Sequence, residues 1–213
     1  MATSPAKEKI LKRIREALSN PVPLPFPHSE GLQSVYKENT EDPVVVFAEE
    51  FTKLQGKFAF CESETDLREQ LAKLIKEKEW TKIYCRETAL VKLLADISVT
   101  VYEDLPSCDV SLTGCEFLVA RTGSIVLSAA QESGRTVSVY APIHICIAYD
   151  DRVVYDIKDA LQAIKATYGT AFPSFISFAS GPSRTADIEK TLVTGVHGPK
   201  EVYCFLTERI NKC

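Results

Sequence analysis

The chain has 213 residues, 45% of them hydrophobic and 25% charged, the composition of an ordinary globular protein. At ~150 residues per domain this length argues for one domain with appendages, and a body of that size folds without disulfides or metal. Twenty-five basic against 29 acidic residues leave a net charge of −4, which speaks against a general nucleic-acid binder with its basic surplus.

No apolar run reaches the ~18 residues of a membrane-spanning helix. Charges interrupt every apolar stretch of the opening MATSPAKEKILKRIREAL, so a signal-peptide core is not expected there and a cytoplasmic location is. Seven cysteines (Cys61, Cys85, Cys108, Cys115, Cys146, Cys204 and Cys213) are widely spaced, and no two fall in a C-x-x-C pattern. In a reducing compartment they read as small buried hydrophobes rather than as ligands of a cluster or metal.

Taken in chain order, residues 1–20 hold an amphipathic helix, with Ile10, Ile14 and Leu18 on one stripe beside Leu11 and Ala17. That stripe predicts docking on the body or on a second subunit. Residues 21–42 begin PVPLPFP; alternating prolines fix φ and remove amide donors, predicting an extended proline-rich arm and linker. From 43 to 213 the pattern alternates helix and strand, a single α/β domain. Val44, Phe47, Phe51 and Leu54 share a helical face that Gly56 closes. KFAFC (57–61) is a strand, and Ser63 with Asp66 resembles a capping box before a helix burying Leu67, Leu71, Leu74 and Ile75. KIYC (82–85) and SVTVY (98–102) are strands around a helix through Ala89, Leu90, Leu93 and Leu94. Short strands alternating with helices predict a central, mostly parallel sheet with helices on both faces.

In the second half, CEFLVA and SIVLSA flank Arg121-Thr122-Gly123, predicting a hairpin. The polar stretch QESGR (131–135) is a loop. TVSVYAPIHICIAYD predicts a long apolar strand, with Pro142 marking a bend or its start. KDALQAIKATYG is a helix, SFISFAS a strand, ADIEKTLVTG a helix and EVYCFLTE a final strand.

The segment with most chemistry runs from Phe175 to Glu189, a strand leading through a glycine loop into that helix. Gly181 lets the backbone approach a ligand, with Pro182 beside it. Ser183 and Thr185 suit an N-cap, and Arg184 offers a planar fork of donors. A helix N-terminus there would draw a carboxylate or phosphate, at the C-terminal ends of the strands where open α/β sheets collect ligands. Asp187, in the first turn, would offset the same dipole from within. His144 lies in an apolar strand, as a hydrogen-bonded core histidine or as a catalyst. His197, between Gly195 and Gly198, lies in a tight turn whose glycines serve either the chain's topology or the exposure of the imidazole. Thr122-Gly123-Ser124 reads as a hairpin turn, or as a hydroxyl-and-amide cradle facing the same cleft. Glu116 reads as a surface carboxylate, or as a base or nucleophile. Nothing matches a P-loop, a dinucleotide fingerprint, a nucleophile elbow or a zincin helix. The residues alone point to an anion-binding cleft.

GPSRTADIEKTLVTGVHGPKEV, TGSIVLS and APIHI resemble the lactate-utilization protein C family, whose unit is the LUD domain, over roughly residues 110–205. The resemblance implies a fold like that of the sugar-phosphate isomerase and CoA-transferase group. It implies a role in oxidising L-lactate to pyruvate beside partner subunits that carry iron–sulfur clusters, with neither cluster nor other cofactor on this chain, which would bind a small carboxylate or dock the redox partners. In that role His144 or His197 would take the hydroxyl proton and Arg184 the carboxylate. Thr122, Gly123, Ser124, Gly181, Pro182, Ser183, Thr185, Asp187 and Gly198 would surround the small carboxylate. No metal, nucleic acid or membrane span is expected, and an oligomer fits the detached helix. The alternatives are a stand-alone CoA-transferase or sugar-phosphate isomerase-like enzyme using Glu116, or a non-catalytic scaffold subunit. One position departs from the family pattern: the residue before Thr122, commonly acidic, is Arg121.

Overall fold

The computed structural model describes residues 5–19, 41–185 and 193–208, and the chain divides into two compact units, residues 1–38 and 39–213. In the first unit α1 (Pro5–Ser19) is helical as its periodicity predicts, with Ile10, Ile14 and Leu18 exposed. The proline-rich arm lies, up to residue 40, outside the described residues.

In the second unit α2 (Pro43–Lys53) starts where the Asp42 carboxylate accepts from the Val44 amide at 2.8 Å, with Pro43 presetting the first turn. β1 (Lys57–Cys61) leads to α3 (Glu64–Glu77), capped by the Ser63 hydroxyl accepting from the Asp66 amide. The Asp66 carboxylate accepts from the Glu62 amide rather than from that of Ser63, so the predicted capping box closes on one side only. There follow β2 (Ile83–Cys85), α4 (Thr88–Asp96), β3 (Val110–Thr113), β4 (Phe117–Val119), β5 (Ser124–Ser128), α5 (Val137–Tyr140) and β6 (Ile143–Tyr149). The chain continues through β7 (Val153–Val154), α6 (Ile157–Tyr168), β8 (Ile176–Ala179), β9 (Arg184–Thr185), β10 (Val193–Thr194) and β11 (Glu201–Thr207).

Five strands form a wholly parallel sheet in the order β1-β11-β6-β3-β2. A second sheet, β7-β4-β5-β8, contains the predicted hairpin: β4 and β5 pair antiparallel across the single turn Ala120–Thr122. On one face of the parallel sheet, Leu67 and Leu71 of α3 and Leu90 and Leu94 of α4 pack against Leu112, Ile145 and Phe205. On the other, Phe47 and Phe51 of α2 and Leu118 and Ile125 of the second sheet pack against Cys146, Cys204 and Leu206. The far face of the second sheet buries Phe117, Val119 and Val126 against Ala160 and Ile164 of α6. Each fully buried side chain of this kind contributes about 1.5–3 kcal/mol. The central parallel sheet therefore carries helices on both faces, with the second sheet sharing one face with α2.

Several elements differ from the sequence pattern. SVTVY contributes only Val101, which bridges Ile83; Ser98 has φ of +60° and turns the chain just before it. β3 was not predicted, because its buried Ser111 and Thr113 interrupt the apolar pattern. TVSVY is not strand: the Thr136 carbonyl accepts from the Val139 and Tyr140 amides, winding α5, and β6 begins only after Pro142. Cys61, Cys85, Cys108, Cys146 and Cys204 are free and buried, and Cys115 is half-buried. Cys213 lies outside the described residues.

Candidate functional site

The loops carrying GPSR and GVHGP are bonded to one another. The Ser183 amide donates to the Pro199 carbonyl and the Gly195 amide to the Ser183 carbonyl, each at 2.9 Å. β9 and β10 extend this contact as an antiparallel pair, Arg184 opposite Thr194 and Thr185 opposite Val193. The predicted helix over ADIEKTLVTG (186–195) is thereby corrected at its C-terminal end, where Val193–Thr194 are strand; Arg184–Thr185, just before it, are strand too, so Ser183 and Thr185 cap no helix among the described residues. Asp187 and its neighbours 186–192 lie outside those residues.

The joined loops, with His144 of β6, Ser177 of β8 and Val202 of β11, surround a cavity of ≈180 Å³ that Ser183, His197 and Gly198 also line. His144 and Val202 are the second residues of their strands, so the cavity sits at the N-terminal ends of the parallel sheet. The sequence expectation put it at the C-terminal ends. It enters from the other side because the loop follows β8, which belongs to the second sheet and runs antiparallel to β5.

His144 is 1% exposed. Its Nε2 lies 2.8 Å from Thr113 Oγ1, and that hydroxyl donates its one proton to the Gly114 carbonyl at 2.9 Å. Nε2 therefore carries the proton, which leaves Nδ1 as a bare acceptor with no partner among the described residues. Burial pushes the imidazole pKa down from 6.5 to about 4, so a neutral base lines the cavity. His197 stands exposed on its rim.

The remaining predicted residues divide between the cavity and α2. Gly123, at φ +54°, lies so close to α2 that a Cβ would stand 2.5 Å from the Phe51 amide nitrogen; it is a helix contact, not part of a ligand cradle. Ser124 Oγ bonds Thr122 Oγ1 at 2.8 Å and Ser180 Oγ at 2.6 Å, tying the hairpin to the glycine loop. A Cβ on Gly181 would stand 2.5 Å from the Leu54 carbonyl oxygen, and Arg184, exposed, donates to that same oxygen at 3.2 Å. Arg184 thus covers an open carbonyl at the C-terminus of α2 and does not line the cavity. Pro182 is buried. Arg121 Nε pairs with Asp156 at 2.5 Å, the residue that caps α6. Against the upward push of burial, that guanidinium and the Lys158 amide hold the Asp156 carboxyl below its usual range. The unusual Arg121 is bound into a helix cap rather than turned to a ligand.

Glu116 lies elsewhere, in a cleft of ≈340 Å³ beyond the C-terminal ends of β2, β3 and β6. It is 7% exposed and accepts from the Ser128 hydroxyl at 2.6 Å and the Tyr168 hydroxyl at 2.8 Å. Glu87 lines the same cleft; burial pushes its carboxyl up against the opposing bonds from the Gly114 amide and Ser133. Glu132 accepts from the Thr88 amide and hydroxyl at 2.6 and 3.0 Å, which lowers its pKa and occupies the N-terminus of α4. The reading of Glu116 as a surface carboxylate is corrected. His144 and His197 come together, and Glu116 sits at the opposite end of the sheet. Thr113, Ser177, Glu87 and Glu132 escaped the sequence reading, the last although its QESGR loop was marked as polar. Among the described residues no cluster of three or more His, Cys, Asp or Glu side chains is arranged to hold a metal ion. No described helix is long and apolar enough to cross a membrane.

The LUD domain family model matches residues 86–207. The lactate utilization protein C of Deinococcus radiodurans is 32% identical over 116 residues, 54% of either chain. That of Geobacillus thermodenitrificans is 38% identical over 104 residues, 47% of this chain and 43% of its own. The chain thus spans about half the length of the curated relatives it matches. A crystal structure of a DUF162 family protein from Deinococcus radiodurans superposes with a TM-score of 0.58 at 18% identity, covering 78% of this chain and 96% of that one. It supports the α/β fold. With more than half of its length matched by one family model, the chain belongs to the LUD domain family.

Proposed function

We propose that this protein serves lactate utilization, as the clusterless subunit of a system that oxidises L-lactate to pyruvate through iron–sulfur clusters on partner subunits. The observation that carries this reading is the meeting of GPSR, GVHGP and APIHI around one small cavity with a buried, open histidine acceptor. Relatives at 32–38% identity are named lactate utilization protein C, and the cavity has the size of a small acid. In this reading a 2-hydroxy or 2-oxo carboxylate enters between the sheets. His144 Nδ1 takes the hydroxyl proton, as a neutral imidazole can. The Ser183 hydroxyl and His197 hold the carboxylate, the part first assigned to Arg184.

The test is to purify the tagged chain from its host grown on L-lactate and to assay lactate-dependent dye reduction. Co-purification with iron-containing partners and activity, lost on His144→Gln, is the expected result. A lone, colourless and inactive protein overturns the reading.

A second reading rests on Glu116, a buried carboxylate held by two hydroxyls in the cleft at the C-terminal ends of the strands. It makes the chain a stand-alone enzyme of the CoA-transferase or sugar-phosphate isomerase type. Turnover of an acyl-CoA or sugar phosphate by the isolated chain, abolished by Glu116→Gln, would establish it; no turnover across a broad panel would dismiss it.

A further inference from the structure

Beside the small cavity lies a larger cleft of ≈460 Å³, which shares Val139, His197 and Gly198 with it. Tyr140, Pro142, Val196 and Lys200 complete its wall. Tyr140 is 61% exposed and Val196 46%, so apolar side chains stand open to solvent inside a concave surface. Among the described residues no carboxylate lines the cleft, although the chain as a whole is acidic. Lys200 makes no ion pair among the described residues.

The loop between these walls is fixed at both ends. The Gly195 amide donates to the Ser183 carbonyl, and the Lys200 amide to the Pro142 carbonyl at 2.7 Å. Between the two anchors, the amides of Val196, His197 and Gly198 make no hydrogen bond to any described residue. Three successive amides without a described partner and an ammonium without a described ion pair give this loop donors that suit an anion better than a cation. The open apolar wall asks for a ligand with a flat apolar body, and the volume exceeds what a three-carbon acid fills while matching ordinary cofactor clefts.

We propose that this cleft binds a nucleotide-class ligand, its phosphate against the Val196–Gly198 amides and Lys200 and its ring against Tyr140 and Pro142. His197 then stands between the nucleotide and the small cavity. The inference is independent of the lactate reading, since it is measured on the isolated full-length chain without lactate or partners.

The experiment is calorimetric titration of the purified chain with ADP and with FMN, each compared with inorganic phosphate. The expected result is that at least one nucleotide binds tenfold or more tighter than phosphate. Lys200→Glu and Tyr140→Ala, both at the surface, each weaken that binding at least tenfold while thermal unfolding stays unchanged. Absence of nucleotide binding, binding no tighter than that of phosphate, or full affinity in either variant overturns the assignment.

Discussion

Replacing His144 by glutamine removes a buried group whose charge state the fold controls through loss of hydration. In the folded protein the imidazole is enclosed between the sheets, 1% exposed, and its pKa falls from 6.5 to about 4 through loss of hydration. The unfolded chain takes up this proton near pH 6.5, the folded chain only near pH 4. Between the two values the unfolded state holds more protons, so stability rises with pH. The contribution is complete above about pH 6.5 and declines as pH falls toward 4, by about 3 kcal/mol in all. Urea unfolding of the wild type and of His144→Gln, compared from about pH 7 to about pH 4.5, reads this directly. Carboxylates common to both proteins cancel in the difference, and any constant cost of losing the Thr113 contact shifts all points equally. The expected result is that the wild type loses 2–3 kcal/mol, roughly, relative to the variant across this window. A difference that stays constant with pH would refute the reasoning, because the imidazole would then titrate alike in both states.

The other predictions concern contacts that hold the site's scaffold. Gly123→Ala should destabilise by clearly more than Gly134→Ala. Both glycines have positive φ (+54° and +65°), which costs an L-residue about 1–2 kcal/mol, but only at Gly123 would the new Cβ strike α2; equal shifts in urea midpoint would contradict the contact. Phe51→Ala, at a fully buried ring stacked 5.3 Å from Phe47, should cost about 3–5 kcal/mol, read by chemical denaturation. Asp156→Ala should cost about 1–2 kcal/mol through the lost cap of α6. Little more comes from the Arg121 pair, because that arginine is one-third exposed, and Arg121→Ala should therefore cost less than Asp156→Ala in thermal unfolding.

Much of the fold was legible because its signals are local. The Ile10, Ile14, Leu18 stripe, the caps at Ser63 and the apolar faces through Phe51 and Leu71 depend on neighbours within one or two helical turns. The tight turn at Gly123 was readable for the same reason, though not its cause, which is the backbone of α2 some 70 residues earlier in the chain. β3 was missed because Ser111 and Thr113 are polar residues buried between sheets, a placement that makes sense only once their partners are known. Of the predicted site, the two histidines and Ser183 could be brought together on motif grounds; the role of Arg184 could not be read, since its acceptor is Leu54, 130 positions away.

The alternation of helices and strands, the hairpin, the acidic balance and the segments that carry the family resemblance follow from composition and short-range periodicity and are readable along the chain. The end of the sheet that each candidate residue occupies emerges from the folded arrangement alone. Strand direction and pairing order set that, and neither leaves a mark on spacing along the chain. Thus β8, joining a second sheet antiparallel to β5, carries Ser183, and the loop entering β11 carries His197, to His144 at the N-terminal ends of the parallel strands. The parallel run of β3 leaves Glu116 at the opposite end, in a cleft of its own.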